Sequence, residues 1–232
     1  MTYAKSLTAA LFLSLSAGTS LADTAAIHMG FGLWQADPEG SLYGYSLDEL
    51  NYKKSDNNFF YAAIEHPIPL LPNIRIQYNE LETKGSSAIL TVPATSRTKL
   101  NHTDAVAYYE LLDNWISFDL GLGVRRYDGG SELVLGGTQI NESEADAYLP
   151  TIYADANFDL PFTGLSVGGN FQGGSFDDTE FTEYSLRLSY MYDAIPDVGA
   201  ELGYKRHNLS RLNDLDIDAD FAGPYLSLKL SF

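Results

Sequence analysis

The sequence predicts an all-β fold: a transmembrane, up-and-down antiparallel β-barrel of about ten strands that follows a cleaved signal peptide. Three observations predict it. Residues 1–22 have the layout of a removable export signal, the rest of the chain repeats segments in which alternate residues are apolar, and the connections between those segments alternate between long and short. The composition agrees. Of 232 residues, 45% are hydrophobic and only 19% charged, with 16 Tyr, 12 Phe and 20 Gly, a balance that favours strands. With 14 basic and 31 acidic residues and a net charge of −17, nucleic acid is excluded as an expected partner, because phosphate binding needs clustered Lys and Arg. The absence of cysteine excludes disulfides and thiolate metal sites.

Residues 1–22 contain Lys5, an apolar stretch over 7–17, and Ser20-Leu21-Ala22, a small-x-small cleavage signal that places the mature start at Asp23. The stretch is interrupted by Thr and Ser and falls short of the ~20 residues a helical span requires. No later segment is long and apolar enough to be a membrane helix. Residues 23–232 therefore cross a membrane only as a closed barrel, since helices and barrels alone satisfy their backbone hydrogen bonds in lipid.

The strands follow in order. Ile27, Met29, Phe31 and Leu33 alternate with His28, Gly30, Gly32 and Trp34. Segment 58–65 is weaker; Ile74, Ile76 and Tyr78 then stand opposite Arg75, Gln77 and Asn79, and 104–112 is again weak. The clearest is 115–126, where Ile116, Phe118, Leu120, Leu122 and Val124 occupy one face and Ser117, Asp119, Gly121, Gly123 and Arg125 the other. In 148–156 the alternation is too faint to fix an inward face. Segment 165–171 alternates, as do Tyr184 to Tyr192 against Glu183 to Met191, Val198 to Tyr204 against Gly199 to Lys205, and Ala222 to Phe232 against Gly223 to Ser231. Long connections are read at 37–56, 84–100, 127–144, 173–180 and 207–220, and short ones at 66–72, 112–114, 157–164 and 193–197. Long loops on one side and tight turns on the other are the mark of an outer-membrane barrel with both termini in the periplasm.

The motifs GLWQADPEG (32–40), YYELLDNWISFDLGLG (108–123), LPTIYA (149–154), LPFTGLSVG (160–168) and the closing YLSLKLSF resemble those of small Gram-negative outer-membrane β-barrel proteins without an assigned activity. The resemblance implies location and fold and supplies no catalytic residues. It also implies recognition by the outer-membrane assembly machinery, because an alternating strand that ends in an aromatic, here Phe232, is what assembly signals look like.

If the apolar rows face lipid, the opposite rows form a lumen holding Arg75, Arg125, Arg187, Lys205 and Lys229 with Glu65, Asp104, Glu110, Asp119, Glu183 and Glu201. A barrel of about ten strands lies near the closed end of the size range, so a lumen filled by paired charges is expected, plugging the barrel or leaving a narrow pore. The net negative charge then falls on the outer connections. There Asp214, Asp216, Asp218 and Asp220 could present oxygens to Ca²⁺ or Mg²⁺, although the glycine and terminal glutamate of an EF-hand are missing. No other cofactor is expected. Arg126 and Arg206 emerge on the lipid side beyond the apolar band, suited to lipopolysaccharide phosphates.

Four histidines, His28, His66, His102 and His207, lack a nucleophile elbow or zinc-helix context. His102 beside Asp104, with His207 on another strand, is similar in placement to the rim groups of omptin-type proteases. A rim hydrolase is thus the least favoured reading, after an envelope-structural or narrow-pore monomer and an adhesive barrel acting through acidic loops. Protein recovered from the cell envelope should begin at Asp23; a mass that retains Lys5 would exclude this cleavage.

Overall fold

The computed structural model describes residues 25–68, 70–89, 91–113, 115–144 and 146–232, so the expected signal peptide lies outside the described residues. Thirteen strands form one sheet: β1 (Ala26–Leu42), β2 (Tyr45–Ser46), β3 (Ser55–Glu65), β4 (Asn73–Asn79), β5 (Glu82–Ile89), β6 (Val92–Asp113), β7 (Ile116–Leu135), β8 (Thr138–Glu144), β9 (Ala147–Leu160), β10 (Leu165–Phe176), β11 (Thr179–Tyr192), β12 (Asp197–Leu212) and β13 (Leu215–Ser231). Ten of them close into an antiparallel barrel in the order β1-β3-β4-β6-β7-β9-β10-β11-β12-β13, with β13 returning to β1. The other three add to the wall at one end: β2 on β1, β5 on β6 and β8 on β7. The start of β1 and the end of β13 lie together at the opposite end, where His28 pairs with Ser231.

The apolar rows face outward as the alternation requires. Leu120, Leu122, Leu186, Leu188, Leu202, Leu226 and Leu228 are all exposed, Leu122 and Leu186 by 69% each. Residues 116–124, in a strand tilted by about 40°, rise roughly 20–25 Å, the height of a lipid-facing band. In the strand whose inward face was not legible, β9, Leu149, Thr151 and Tyr153 point inward and Tyr148 and Ile152 outward.

The far end differs from the expected loops. Segments 173–180 and 207–220 are not loops; β10 and β11 join through Asp177 and Asp178, and β12 and β13 through Asn213 and Asp214. Asp177 (φ 51°) and Asn213 (φ 50°) adopt the left-handed conformation that a two-residue hairpin turn demands and that Asp and Asn tolerate. Segments 84–100 and 127–144 are largely strand as well, since β6 and β7 run past the lipid-facing band and pair from Asp113 with Ser117 to Ala94 with Leu135. Among the described residues, the longest departure from the wall is 47–54, which follows β2 and folds over the mouth.

The reason for the discrepancy is a change of phase. In β13 the even residues Ala222, Pro224, Leu226 and Leu228 face outward, whereas the apolar residues beyond them are odd: Leu215, Ile217, Ala219 and Phe221 face inward and are buried. In β12 Val198, Leu202 and Tyr204 are exposed while His207, Leu209 and Leu212 are buried. Where the wall leaves lipid it has water outside, so its apolar residues must turn to the interior.

Placing a charge in the band tests this assignment. Leu122→Arg should cost ~2–4 kcal/mol, the penalty for an arginine near the bilayer midplane, measured by denaturant titration in lipid vesicles. A loss below about 0.5 kcal/mol would put Leu122 outside the band.

Candidate functional site

The barrel interior has three layers. The far-end layer is apolar: Trp34, Leu42, Leu100, Tyr127, Leu133, Leu149, Phe181, Leu209, Ile217 and Phe221 from the wall meet Leu47, Leu50 and Tyr52 from segment 47–54 in one buried cluster. Tyr52 is held there by its hydroxyl, 2.6 Å from Ser96 Oγ and 2.8 Å from Thr98 Oγ1. Burial raises this phenol above its ordinary range although those two hydroxyls oppose the shift. Outside the wall at the same level, burial would raise the Glu82 carboxyl, but hydrogen bonds from Lys84 and Arg97 hold it below the usual range.

Beneath the apolar layer lies a polar network centred on Arg125, whose side chain is fully buried. Its Nε and Nη2 donate to the two oxygens of Asp104 at 2.7 and 2.9 Å, and Nη1 donates to Glu183 Oε2 at 3.3 Å. Gln172 Nε2 donates to Asp104 at 2.9 Å. Lys205 Nζ reaches Glu183 Oε1 at 3.1 Å and donates to Asn79 Oδ1 at 2.8 Å. Two guanidinium or ammonium groups thus meet two carboxylates, the condition under which charge can be kept in a narrow interior. Arg125 also stacks on Phe181, 4.1 Å from the ring centroid, which ties this layer to the apolar one.

His102 and His207 complete the network. Their rings stack with centroids 5.2 Å apart and planes at 13°. His207 Nδ1 lies 3.1 Å from Glu183 Oε2 and its Nε2 lies 3.2 Å from the Tyr127 hydroxyl. His102 Nδ1 lies 3.0 Å from the Leu100 carbonyl, and its Nε2 lies 3.5 Å from Glu183 Oε2. The sequence placed both histidines at a rim; the structure buries both completely, because the apolar layer lies between them and the mouth. A hydrolase with water-exposed rim histidines does not match this placement.

The third layer is a polar vestibule of about 500 Å³ toward the end that holds the start of β1 and the end of β13. Arg187 donates to both oxygens of Asp155, at 2.7 and 2.5 Å. Glu201 accepts from Tyr225 at 2.7 Å and from Ser189 at 3.0 Å, with Lys229 at 3.4 Å. Glu65 accepts from Tyr108 at 2.8 Å and lies 3.0 Å from His28 Nε2, and Asn73 donates to Glu110 at 2.7 Å. Arg75 stacks 3.9 Å from the centre of the Tyr61 ring and donates to Gln77.

The residues singled out from the sequence fall in two groups: Asp104, Arg125, Glu183 and Lys205 in the central network, and Glu65, Arg75, Glu110, Asp119, Arg187, Glu201 and Lys229 around the vestibule. Sequence reasoning missed Asp155, because the face of β9 was unreadable, although it pairs with Asp119 across the wall. It also missed Gln172 and Tyr127, whose roles depend on partners far along the chain. Asp214 sits in a turn, and Asp216, Asp218 and Asp220 lie along the outer face of one strand, ~6–7 Å apart by the strand repeat. They do not converge on a common centre, and Asp220 is taken up by Arg206. Arg126 and Arg206 are at the outer edge of the band; Arg126 reaches Asp146 at 3.4 Å.

No protein-family model matches the chain, and no curated protein matches it. Among solved structures it is similar to the transport unit of the autotransporter AIDA-I from Escherichia coli, with 7% identity over 94% of this chain and 92% of that one and a TM-score of 0.43. It is also similar to Ail, the attachment invasion locus protein of Yersinia pestis, with 10% identity, 90% and 99% coverage and a TM-score of 0.40. Neisserial surface protein A is a third, with 11% identity, 90% and 100% coverage and a TM-score of 0.35. None of the three supplies a role for any residue.

Breaking the central pair on one side leaves a buried carboxylate without its guanidinium. Arg125→Met should therefore destabilise the barrel by ~3–5 kcal/mol, and adding Asp104→Leu should recover part of that loss. Equilibrium unfolding of the four proteins in the cycle reads the coupling; strictly additive losses would show that the two side chains do not act as a pair.

Proposed function

We propose that this chain is an integral outer-membrane barrel with periplasmic termini that serves as a closed, non-conducting envelope element and carries a strand extension into the medium outside. The observation that carries this reading is the apolar layer. Trp34, Leu50, Phe181, Leu209 and Phe221 are each no more than 2% exposed and belong to one continuous cluster between the vestibule and the far mouth, which supports a closed interior. The exposed apolar band supports a lipid surround, and the close-packed interior supports a rigid plug over a narrow pore. Arg126 and Arg206 sit where the band meets water, and each guanidinium has donors beyond those its carboxylate partner uses, which suits lipopolysaccharide phosphates.

A second reading, binding through the outer surface, is favoured by one observation. Asp128, Glu132, Glu142 and Glu144 line a groove on the extension, Glu132 and Glu142 directly opposite each other, and none has an ion-pair partner among the described residues. Neutralising these four should abolish attachment of expressing cells to a cationic surface if the groove binds.

Conductance separates closed barrel from pore. Purified folded protein in planar bilayers should show no channel events under conditions in which a porin control conducts. Stable conductance by the unaltered chain would overturn the closed-barrel reading.

A further inference from the structure

We propose that His102, Glu183 and His207 form a binding site for one transition-metal ion of the zinc type, reached from the vestibule. The inference goes beyond the envelope role and does not depend on it. Among the described residues this is the group whose donor atoms converge: each histidine offers one ring nitrogen and Glu183 one carboxylate oxygen, all within 4.8 Å of one another. Glu183 Oε2 is 3.1 Å from His207 Nδ1 and 3.5 Å from His102 Nε2. Ligands ~2.0–2.2 Å from a tetrahedral ion are separated by roughly 3.3–3.5 Å, close to the separation of the Glu183 oxygen from each imidazole nitrogen.

His102 supplies the independent reason. A backbone carbonyl only accepts, so the contact with Leu100 fixes the ring proton of neutral His102 on Nδ1. Nε2 is then a bare lone pair, completely buried and without a hydrogen-bond partner, facing another lone pair on Glu183. A cation between them turns this repulsion into coordination. The outer shell has the form metal sites use: the Leu100 carbonyl orients His102, the Tyr127 hydroxyl lies beside His207 Nε2, and Lys205 holds the second oxygen of Glu183. His207 would move its ring proton from Nδ1 to Nε2 and donate it to Tyr127, so no proton leaves the site.

Arg125 restricts which ion is taken. Its Nη1 is 3.3 Å from Glu183 Oε2 and 3.4 Å from His207 Nδ1, and it must release the Glu183 oxygen and clear the imidazole nitrogen while keeping its paired bonds to Asp104. Because Asp104 and Glu183 already balance Arg125 and Lys205, a divalent ion adds net positive charge. Affinity must then come from the imidazole nitrogens, which selects Zn²⁺, Cu²⁺ or Ni²⁺ and excludes Ca²⁺ and Mg²⁺, ions that want a shell of oxygens. Glu183 and Lys205 line the vestibule, which gives the entry route.

The test uses the folded full-length barrel in detergent, titrated with Zn²⁺ and with Co²⁺ as a spectroscopic probe. The expected results are one ion per chain, visible Co²⁺ absorption of tetrahedral intensity, and an X-ray absorption spectrum of the Zn²⁺ form showing two imidazoles. His102→Gln should weaken binding at least tenfold, His28→Gln should leave it unchanged, and millimolar Ca²⁺ should not compete. Where His102→Gln does not fold, the spectrum of the unaltered protein decides. Failure of the folded barrel to bind at one to one, absence of imidazole ligation, or loss of binding in His28→Gln instead would overturn the proposal.

Discussion

Ile27 and Phe232 exchange backbone hydrogen bonds in both directions, at 3.2 and 3.0 Å, and with them the first and last barrel strands close the sheet. Everything else depends on that closure. Where the ten strands close on themselves the sheet has no edges and leaves no unpaired backbone group for lipid to desolvate, and it commits every wall residue to one of two faces. With ten strands the circumference is small, and side chains must occupy the inside. The crowding is visible at Gly30 and Gly32, where a Cβ would lie 2.2 Å from the Tyr61 ring and 2.3 Å from the Phe59 ring; these notches admit the aromatic rings of the neighbouring strand β3.

The interior changes character along the axis because the exterior does. Where the wall stands in lipid, its apolar side chains are outside, and the inside holds balanced charge with hydrogen-bonded partners. Where the same strands stand in water, stability has to come from apolar burial inside, as in a soluble β protein, and the cluster around Trp34 and Phe221 supplies it. The Arg125 network lies at the changeover. Its stacking on Phe181 and its paired bonds to Asp104 join the two regimes, so neither layer packs independently of the other.

This changeover also explains what could be read from the sequence. The lipid-facing rows of β7, β12 and β13 were legible because one medium imposes one phase over many residues. The alternation of 215–221 has equal strength but the opposite phase from 222–232, and against a lipid-facing template the reversal looks like the end of a strand. The lumen charges followed from parity alone, as Arg187 opposite Leu186 and Leu188 shows. Their grouping did not, because Arg125 meets Glu183 across the barrel and 58 residues along the chain. The burial of His102 and His207 was equally unreadable: it is decided by Leu47, Leu50 and Tyr52 in a segment that no periodicity marks.

In the closed-barrel reading proposed above, the vestibule is a cup with one opening. Water, protons and small solutes that reach Glu201, Arg187 or Glu183 come from the side where β1 starts and β13 ends, while the surface around Asp128 and Glu132 meets only the medium at the other end. A single continuous wall therefore belongs chemically to two compartments. On that reading, changes of acidity or ion content on one side would alter the occupancy and charge of the interior, and the same changes on the other side would alter only the outer face.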